Sequence, residues 1–338
     1  MVPALAVAGA LRAEGARVEF IGGDRAEVEL VPAAGFALRR IAVEGMSRSN
    51  PLHAVRALWR AARAYLRALS LLRELRPDAV MGGGGYVAGP VGLAAVTLRI
   101  PLVLSEADSH LGLTNRVLAR GARRVCLAFP LAGRDGARYR VTGRPVPPAR
   151  TDRGGARERL GLPAGRDCVL VFGGSLGARS INTAAVGAFA DGAAFDVLHV
   201  AGRRDYPELS EHALPEGYDL REYLDLERFG DALAAADLVV ARAGGSVFEI
   251  AASGTPAILV PYPHASADHQ TANARWMADA GAAVVISDRE LDASRLAKEV
   301  TELLADRERL AAMARASKGL ARPDAAGEIA EELLKAAS

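Results

Sequence analysis

The feature that most constrains the fold of this chain is an apolar strand that runs through a glycine pair into a helix. The strand is expected over Leu238 to Ala241, the glycines are Gly244 and Gly245, and the helix is expected to begin near Ser246. Glycines at such a turn allow a phosphate group to approach the free N–H groups at a helix N-terminus. The pattern is typical of a parallel α/β sheet that binds a nucleotide.

The residues that follow add polar groups at the same edge of the predicted sheet. Glu249 lies in the first turn of the predicted helix, where its carboxylate could accept hydrogen bonds from a ribose. A second strand, 257–260, leads into a polar loop that carries Asp268, His269 and Gln270. Open α/β sheets bind ligands at the carboxyl ends of their strands. Glycine turns alone occur in any α/β domain, but this combination favours a nucleotide-sugar site in which Asp268 and Gln270 contact sugar hydroxyls.

The strongest local phosphate signal lies earlier in the chain. An apolar strand, 168–172, opens into the sequence GGSLGA at 173–178, and a helix is expected to follow as far as about Phe189. Glycine N–H groups and a serine hydroxyl converge there at a helix start. We therefore predict that Gly174, Ser175 and Gly177 bind a diphosphate.

A second glycine run follows a short predicted strand at 78–81. It consists of Gly82, Gly83, Gly84 and Gly85, with Tyr86 after it and a helix expected from about Pro90. A tight turn needs only one or two glycines, so a longer run indicates close approach of a ligand.

These elements predict an α/β protein with two doubly wound Rossmann-like domains facing a cleft. The chain has 338 residues, enough for two domains. We place the first domain at 1–150 and the second at 151–338, with the prolines near 145–148 as a stiff hinge. The last helix, from about Ala325 to Lys335, is expected to pack back on the first domain.

A long helix predicted over 52–75 allows two interpretations. Its arginines fall at helical spacing on one face and are Arg56, Arg60, Arg63 and Arg67. An apolar stripe of Leu52, Val55, Trp59, Ala62, Leu66 and Leu69 accompanies them. The helix is either an ordinary amphipathic helix packed on a sheet or a face that lies on an anionic membrane, with Trp59 at the polar boundary.

Composition excludes several classes of function. The 42 basic and 40 acidic residues give a net charge of +2, and the predominance of arginine reflects genome composition better than nucleic-acid binding. Cys126 and Cys168 lack a CxxC spacing, which indicates a reducing cytosolic environment. We see no secretory leader and no apolar run of about 18 residues that could span a membrane. The absence of a D-x-D motif argues against a metal, and no cofactor is expected.

The glycine turns and the segment from Arg242 to Ala274 resemble those of the MurG family, in which GGSQGA stands where this chain has GGSLGA. Gly112 to Asn115 also match its GLTN motif. The resemblance covers nearly the whole chain and implies the glycosyltransferase-B architecture. It implies transfer of N-acetylglucosamine from UDP-N-acetylglucosamine to lipid I with inversion, giving lipid II for peptidoglycan. The enzyme would be peripheral on the cytoplasmic face of the cell membrane.

The resemblance also assigns roles to residues of this chain. It implies that Ser175 binds the donor diphosphate, that Asn115 lies in the donor site, and that the backbone near Leu224 holds uracil. The glycine run at 82–85 would face the diphosphate of lipid I.

Some positions depart from the family pattern. Pro147 stands where the family has an arginine that contacts the donor, and we expect Arg144 or Arg150 to substitute for it. The family's first strand and its GGTGGH loop, whose histidine is its candidate base, are expected to lie upstream of Met1. Glu106 is the nearest remaining candidate base, and we expect the chain as given to bind the donor but turn over poorly.

Ser105, Ala107 and Asp108 also replace residues of the family's HEQN motif, which puts contacts to the acceptor in doubt. Three alternatives therefore remain open. They are another glycosyltransferase-B enzyme with a different acceptor, a UDP-N-acetylglucosamine epimerase, and a non-catalytic UDP-sugar binding protein.

Overall fold

The structure is a computed structural model that describes residues 1–41, 51–174 and 176–338, without the side chains of residues 51–58 and Ser266. The chain divides into two compact units. Unit 1 contains Met1–Val146 and Arg322–Ser338, and unit 2 contains Pro147–Ala321. Both units are built from helices and parallel strands, as the α/β prediction requires.

Unit 1 contains six strands and six helices within its described residues. The strands are β1 (Glu19–Gly22), β2 (Ala37–Arg40), β3 (Val80–Gly82), β4 (Leu102–Glu106), β5 (Arg124–Leu127) and β6 (Tyr139–Val141). The helices are α1 (Val2–Ala13), α2 (Glu27–Ala33), α3 (Pro51–Leu75), α4 (Gly85–Thr97), α5 (Leu113–Leu118) and, at the end of the chain, α14 (Ala325–Ala337).

The strands of unit 1 form two separate parallel sheets, one of β1 and β2 and one of β3 to β6 in that order. A cavity of about 510 Å³ lies beside β1 and β3. Its wall is mostly apolar and includes residues of α1, such as Val7, and of β1, such as Phe20. The glycine run after β3 forms part of the same wall, so these glycines border open space.

Helix α3 has nearly the predicted bounds, but several described residues of its predicted apolar stripe are exposed rather than packed. Trp59 and Leu66 are 61% and 62% exposed, and Ala62 is also exposed. The buried face carries Ala64 and Ala68, with Leu69, Leu71 and Leu72. Small alanines allow α4 to approach closely, so packing against α4 selects this row of residues. Of the predicted stripe, Leu69 is buried, whereas Trp59, Ala62 and Leu66 are exposed, and the side chains of Leu52 and Val55 lie outside the described residues.

Helix α14 belongs to unit 1 although it ends the chain. Its residues Ile329, Ala330 and Leu333 share a buried cluster with Val103 of β4 and Cys126 of β5. Burial raises the pKa of the Cys126 thiol to about 12, so this cysteine is inert at neutral pH.

Charged contacts also tie α14 to the sheet of unit 1. The Glu332 carboxylate is almost buried and pairs with Arg124 and, at 2.7 Å, with Arg140.

Unit 2 contains six strands and eight α-helices within its described residues. The strands are β7 (Cys168–Phe172), β8 (Asp196–Val200), β9 (Tyr218–Arg221), β10 (Leu238–Ala241), β11 (Ala257–Leu259) and β12 (Ala283–Val285). The helices are α6 (Arg153–Leu160), α7 (Arg179–Phe189), α8 (Tyr206–Leu209), α9 (Leu226–Ala235), α10 (Val247–Ser253), α11 (His269–Asp279), α12 (Ala293–Ala305) and α13 (Arg307–Gly319).

All six strands of unit 2 join one parallel sheet in the order β12-β11-β10-β7-β8-β9. Strand β7 lies inside the sheet, and every residue of it is buried. The strand order reverses at β7, because β8 continues to one side of it and β10 to the other. In sheets of this kind, ligands bind beside the carboxyl ends of the strands at that reversal.

Two element boundaries affect the candidate site. Strand β9 ends at Arg221, before Leu224, and Asp225 caps helix α9 by accepting a hydrogen bond from Arg228 N at 2.8 Å. Helix α4 begins at Gly85 rather than near Pro90, with Gly84 as its N-cap at φ 80°. Within residues 1–41, 51–174 and 176–338, none of the helices combines the length and apolarity needed to cross a membrane.

Candidate functional site

The turns after β7, β8 and β10 all lie at one edge of the sheet of unit 2, because the strands are parallel. The glycine turn after β7 contains Gly174 at φ 102° and Gly177 at φ 85°. Side chains rarely adopt this backbone conformation, which explains why glycine stands there. The turn leads into the eleven-residue helix α7. Ser175, the predicted diphosphate ligand, lies outside the described residues.

The turn after β8 lies in direct backbone contact with this glycine turn. A Cβ atom on Gly177 would lie 2.1 Å from the carbonyl oxygen of Ala201, and one on Gly202 would lie 2.1 Å from the nitrogen of Gly177. Neither position can carry a side chain unless the backbone moves. The two turns therefore form one rigid surface of backbone groups at the start of α7.

A buried chain of hydrogen bonds holds the two turns together. Asn182, in the first turns of α7, donates from Nδ2 to the oxygen of Ala201 at 2.9 Å and to Oδ2 of Asp205 at 2.9 Å. Its Oδ1 lies 3.0 Å from Nε2 of His199 in β8, and His199 Nδ1 lies 2.8 Å from the hydroxyl of Tyr218 in β9.

The partners define the tautomer of this histidine. Asn182 Oδ1 can only accept, so His199 Nε2 donates and Nδ1 accepts from Tyr218. The imidazole is completely buried, and burial lowers its pKa to about 4. It is therefore neutral at physiological pH and acts as a fixed link in this chain of hydrogen bonds.

The chain of hydrogen bonds from Tyr218 through His199 and Asn182 ends at a charged pair near the molecular surface. Arg204 donates to both carboxylate oxygens of Asp205, from Nε at 2.7 Å and from Nη2 at 2.9 Å. These bonds to Arg204 lower the pKa of Asp205, whose residue is 3% exposed. Arg179 lies 3.9 Å from the same carboxylate and 3.6 Å from the exposed Glu208.

The glycine pair after β10 opens helix α10 as predicted, with Ser246 at the N-cap and Glu249 in the first turn. The Ser246 side chain makes no capping bond, and Gly244 and Gly245 lie partly exposed beside it. Arg242, which the sequence analysis did not select, organises this edge. It pairs with Asp288 at 2.6 Å.

The same guanidinium joins neighbouring elements of unit 2. It donates to Ser180 Oγ at 2.9 Å, and to the backbone oxygens of Val260 and Pro261, each at 3.2 Å. The ends of β10, β11 and α7 are thereby fixed relative to one another.

In the polar loop after β11, two of the residues predicted to bind the sugar already make hydrogen bonds within the protein. Asp268 accepts from Thr271 Oγ1 at 2.7 Å, and Gln270 Oε1 accepts from Tyr262 N at 3.0 Å. The amide nitrogen of Gln270 lies on the side of Gly244, 4.0 Å from where a Cβ atom of that glycine would stand. His269 begins helix α11, so it lies at the same end as the loop.

Asn273 is a further residue that sequence reasoning missed. It donates to the oxygen of Ala243 at 3.0 Å, and its buried Oδ1 accepts no hydrogen bond from the described residues. A buried amide next to the glycine pair is costly unless it is satisfied. Its position one helical turn after Gln270 is the sequence signal that could have found it.

The remaining donor-side predictions fall in different places. Leu224 is buried in the turn after β9, at the carboxyl edge. Arg144 belongs to unit 1, whereas Arg150 belongs to unit 2 and pairs with Asp231 at 3.4 Å. Arg150 also lines a cavity with Asp237 at the amino end of β10, opposite the glycine turns. Of the two candidates for the missing family arginine, Arg150 is therefore remote from the donor-side turns.

The glycine run of unit 1 divides into residues with different roles. Gly82 ends β3, and a Cβ atom there would lie 2.8 Å from Leu104, so packing explains this glycine. Gly83, Gly84 and Gly85 border the cavity beside β3, together with Tyr86, which is 56% exposed.

Asn115 and Glu106 lie beside that run. A Cβ atom on Gly84 would be 3.7 Å from Asn115 Nδ2. Glu106 Oε2 accepts from Asn115 Nδ2 and from Gly112 N, each at 2.9 Å, while Oε1 accepts from Asp108 N at 3.2 Å. This carboxylate organises the loop after β4, and its role as a base stays a prediction.

The described residues contain no group of three or more His, Cys, Asp or Glu side chains that could hold a metal ion. The arrangement in unit 2 instead presents backbone N–H groups and arginine side chains. Such groups bind the phosphates of a nucleotide directly.

Comparison with known proteins identifies two family domains in this chain. Residues 168–329 match the glycosyltransferase family 28 C-terminal domain, and residues 1–127 match the glycosyltransferase family 28 N-terminal domain.

Two relatives carry the name UDP-N-acetylglucosamine–N-acetylmuramyl-(pentapeptide) pyrophosphoryl-undecaprenol N-acetylglucosamine transferase. The protein of Moorella thermoacetica is 43% identical over 98% of this chain and 95% of its own length. The protein of Halorhodospira halophila is 44% identical over 97% of this chain and 92% of its own length.

Solved structures show the same fold. The crystal structure of MurG from Acinetobacter baumannii superposes with a TM-score of 0.79 and 30% identity, covering 98% of this chain and 95% of that one. A putative UDP-N-acetylglucosamine 2-epimerase from Listeria monocytogenes superposes with a TM-score of 0.73 at 16% identity, over 97% of this chain and 91% of that one. The second likeness extends to the fold alone.

Proposed function

Since the chain belongs to glycosyltransferase family 28 and, within it, to the MurG family, we propose that it makes lipid II for peptidoglycan synthesis. It transfers N-acetylglucosamine from UDP-N-acetylglucosamine to the undecaprenyl-diphosphate-linked muramoyl pentapeptide, lipid I. The observation that carries the proposal is the full-length similarity at about 40% identity to transferases of this name. The glycine turn of unit 2 supplies a matching phosphate-binding surface.

In the proposed donor site, the diphosphate lies on the turn that contains Gly174, Ser175 and Gly177. Free N–H groups at the start of α7 favour a negative charge by roughly 0.3–2 kcal/mol. Glu249 accepts hydrogen bonds from the ribose, and the turn at Leu224 holds the base. Gln270 is well suited to a sugar hydroxyl, because its oxygen is held by Tyr262 N while its amide nitrogen lies on the side of Gly244.

Three further donor contacts are proposed. Asp268 and His269 contact the sugar from the loop after β11, and Arg144 replaces the family arginine. Asp268 must share its carboxylate with Thr271, with which it already bonds.

The proposed reaction is a single in-line displacement with inversion. The acceptor hydroxyl oxygen forms a bond to the anomeric carbon of the sugar, and the bond from that carbon to the UDP oxygen breaks. A base takes the hydroxyl proton, and the negative charge departs with UDP. Glu106 is the candidate base that this chain offers, although its oxygens already accept hydrogen bonds from the surrounding loop.

On the acceptor side, Gly83 to Tyr86 are proposed to receive the diphosphate of lipid I. The exposed face of α3 would then rest on the cytoplasmic face of the membrane. Trp59, Arg60, Arg63 and Arg67 are exposed there, and the Arg63 guanidinium lies 5.0 Å from the centre of the Trp59 ring. An arginine near an anionic surface contributes about 1 kcal/mol, so this face supports peripheral attachment. The side chain of Arg56 lies outside the described residues.

The test is transfer of labelled N-acetylglucosamine from its UDP donor to a lipid I analogue. Label in the lipid extract is expected, and Glu249→Gln should raise KM for the donor. Glu302→Gln, on the exposed face of α12, is the matched control and should leave KM unchanged. Release of free hexosamine without lipid labelling would instead identify an epimerase. Donor binding with neither product would leave only a binding protein.

A further inference from the structure

Arg204 lies where the two backbone turns of unit 2 meet. It follows Gly202 by two residues, and Gly202 is in backbone contact with Gly177 of the glycine turn. Its partner Asp205 also lies at this turn, because Asp205 Oδ2 would be 3.3 Å from a Cβ atom of Gly177. The guanidinium bound to Asp205 is therefore held beside the start of α7.

The geometry of this guanidinium is set by buried groups. Asp205 is 3% exposed, and its carboxylate is fixed by Asn182, which His199 and Tyr218 hold in turn. Two hydrogen bonds to Asp205 use only part of the donor capacity of a guanidinium. The rest remains for an anion, and an arginine that is already oriented loses less conformational entropy when it binds one.

We propose that Arg204 binds the diphosphate of the nucleotide-sugar donor at the glycine turn, and that Asp205 positions its guanidinium. This inference rests on the proposed function, because it deepens the description of the same donor site. Arg204 is a binding residue in this arrangement, and Asn182 and Asp205 are positioning residues.

Another Arg–Asp pair in unit 2 shows what an ordinary surface pair looks like. Arg307 donates to both oxygens of Asp167, and its side chain is 63% exposed, compared with 54% for Arg204. Asp167, however, precedes β7 and therefore lies at the opposite edge of the sheet. Its side chain is 24% exposed, compared with 4% for Asp205. Arg307 thus provides a control with the same charge and the same kind of partner.

The first experiment measures binding of UDP and of uridine to the full chain by calorimetry. Arg204→Ala should weaken UDP binding by about tenfold or more, because a charge-assisted hydrogen bond is lost. Uridine binding should not change, because uridine lacks the phosphates. Arg204→Lys should recover part of the affinity, and Arg307→Ala should bind UDP as the wild type does.

Equal UDP affinity in the wild type and Arg204→Ala would overturn the inference while leaving the proposed function intact. Equal losses for UDP and uridine would also overturn it, because they would indicate a general disturbance of the site. Failure of the wild type to bind UDP at all would contradict the proposed function itself.

The positioning role has a separate readout. Asp205→Asn keeps the shape of the side chain but removes its charge, so the guanidinium is less firmly oriented. We expect KM for UDP-N-acetylglucosamine to rise about threefold to tenfold, while kcat at saturating donor stays within about twofold. A fall in kcat with unchanged KM would contradict positioning of a donor-binding group. Thermal unfolding of the same sample verifies that the variant is folded.

Discussion

The carboxylate of Glu106 lies 2.9 Å from the amide nitrogen of Asn115, and the two residues are 6% and 2% exposed. Each carboxylate oxygen also faces a backbone N–H of the same loop. In Glu106→Gln, one oxygen becomes an NH₂ group that must face a donor. We expect a loss of about 1–3 kcal/mol in the free energy of unfolding. Asp108→Asn, in the same loop, removes a charge without removing these bonds and is the control.

Chemical denaturation of both variants measures this difference. If Glu106→Gln unfolds like the wild type but loses transfer activity by a factor of about 10² or more, Glu106 is the base and not the organiser of the loop.

Gly177 provides a direct test of the backbone surface at the proposed diphosphate site. In Gly177→Ala, the new methyl group would meet the oxygen of Ala201, and the backbone φ of 85° would be strained as well. Binding of UDP should fall by at least about tenfold because the two turns must separate. Gly192→Ala carries the same kind of strain at φ 106°, but the methyl group would meet open space. If the control weakens UDP binding as much as Gly177→Ala, close contact of the turns is not the cause.

The buried His199 should make the stability of unit 2 towards unfolding depend on pH. Its folded pKa, about 4, lies below the ordinary value of 6.5, so between these values the unfolded chain binds a proton that the folded chain does not. This contribution to stability is complete above about pH 6.5 and is lost as the pH falls towards 4. The difference corresponds to roughly 3 kcal/mol over that interval.

Denaturation of His199→Gln at several pH values tests this contribution. The variant should lack this part of the pH dependence, while His212→Gln, on an exposed side chain, should keep it. An unchanged slope in His199→Gln would mean that other groups cause the loss of stability in acid.

The exposed face of α3 predicts binding to anionic vesicles. Replacing Trp59 and Leu66 together with alanine should reduce the fraction of protein that sediments with phosphatidylglycerol vesicles, because both side chains are more than half exposed. Arg63→Gln and Arg67→Gln should each weaken the free energy of vesicle binding by about 1 kcal/mol and make that binding less sensitive to salt. Val28→Ala with Leu30→Ala, two exposed apolar residues of α2, is the control. Equal loss in the control would indicate non-specific adhesion.

Sequence patterns predicted the buried strands well. The bounds of β7 and β10 agree with the prediction at every residue, because a parallel strand buried on both faces is a continuous apolar run. Strand β12 was missed, since its three residues are only partly buried and carry little pattern. The row of α3 residues that packs could not be predicted from the sequence, because the partner helix α4 determines that face.

The candidate site, like the fold, could be predicted from the sequence only in part. Glycines at strand ends are visible in a sequence, and they led to Gly174, Gly177 and Gly244. The groups that hold those turns could not be found in this way. Asn182, His199 and Tyr218 come from a helix and two strands, and only the folded sheet brings them within hydrogen-bonding distance. The spacing of residues along the sequence does not predict such contacts.

The return of α14 to unit 1 has a consequence for synthesis on the ribosome. Unit 2 is continuous in sequence, whereas unit 1 needs residues from both ends of the chain. During translation, Val103 and Cys126 in the sheet of unit 1 are therefore made long before α14, the helix that covers them. This face of the sheet stays uncovered until residues 325–337 have been made, so the fold of unit 1 depends on a segment that lies far away along the sequence.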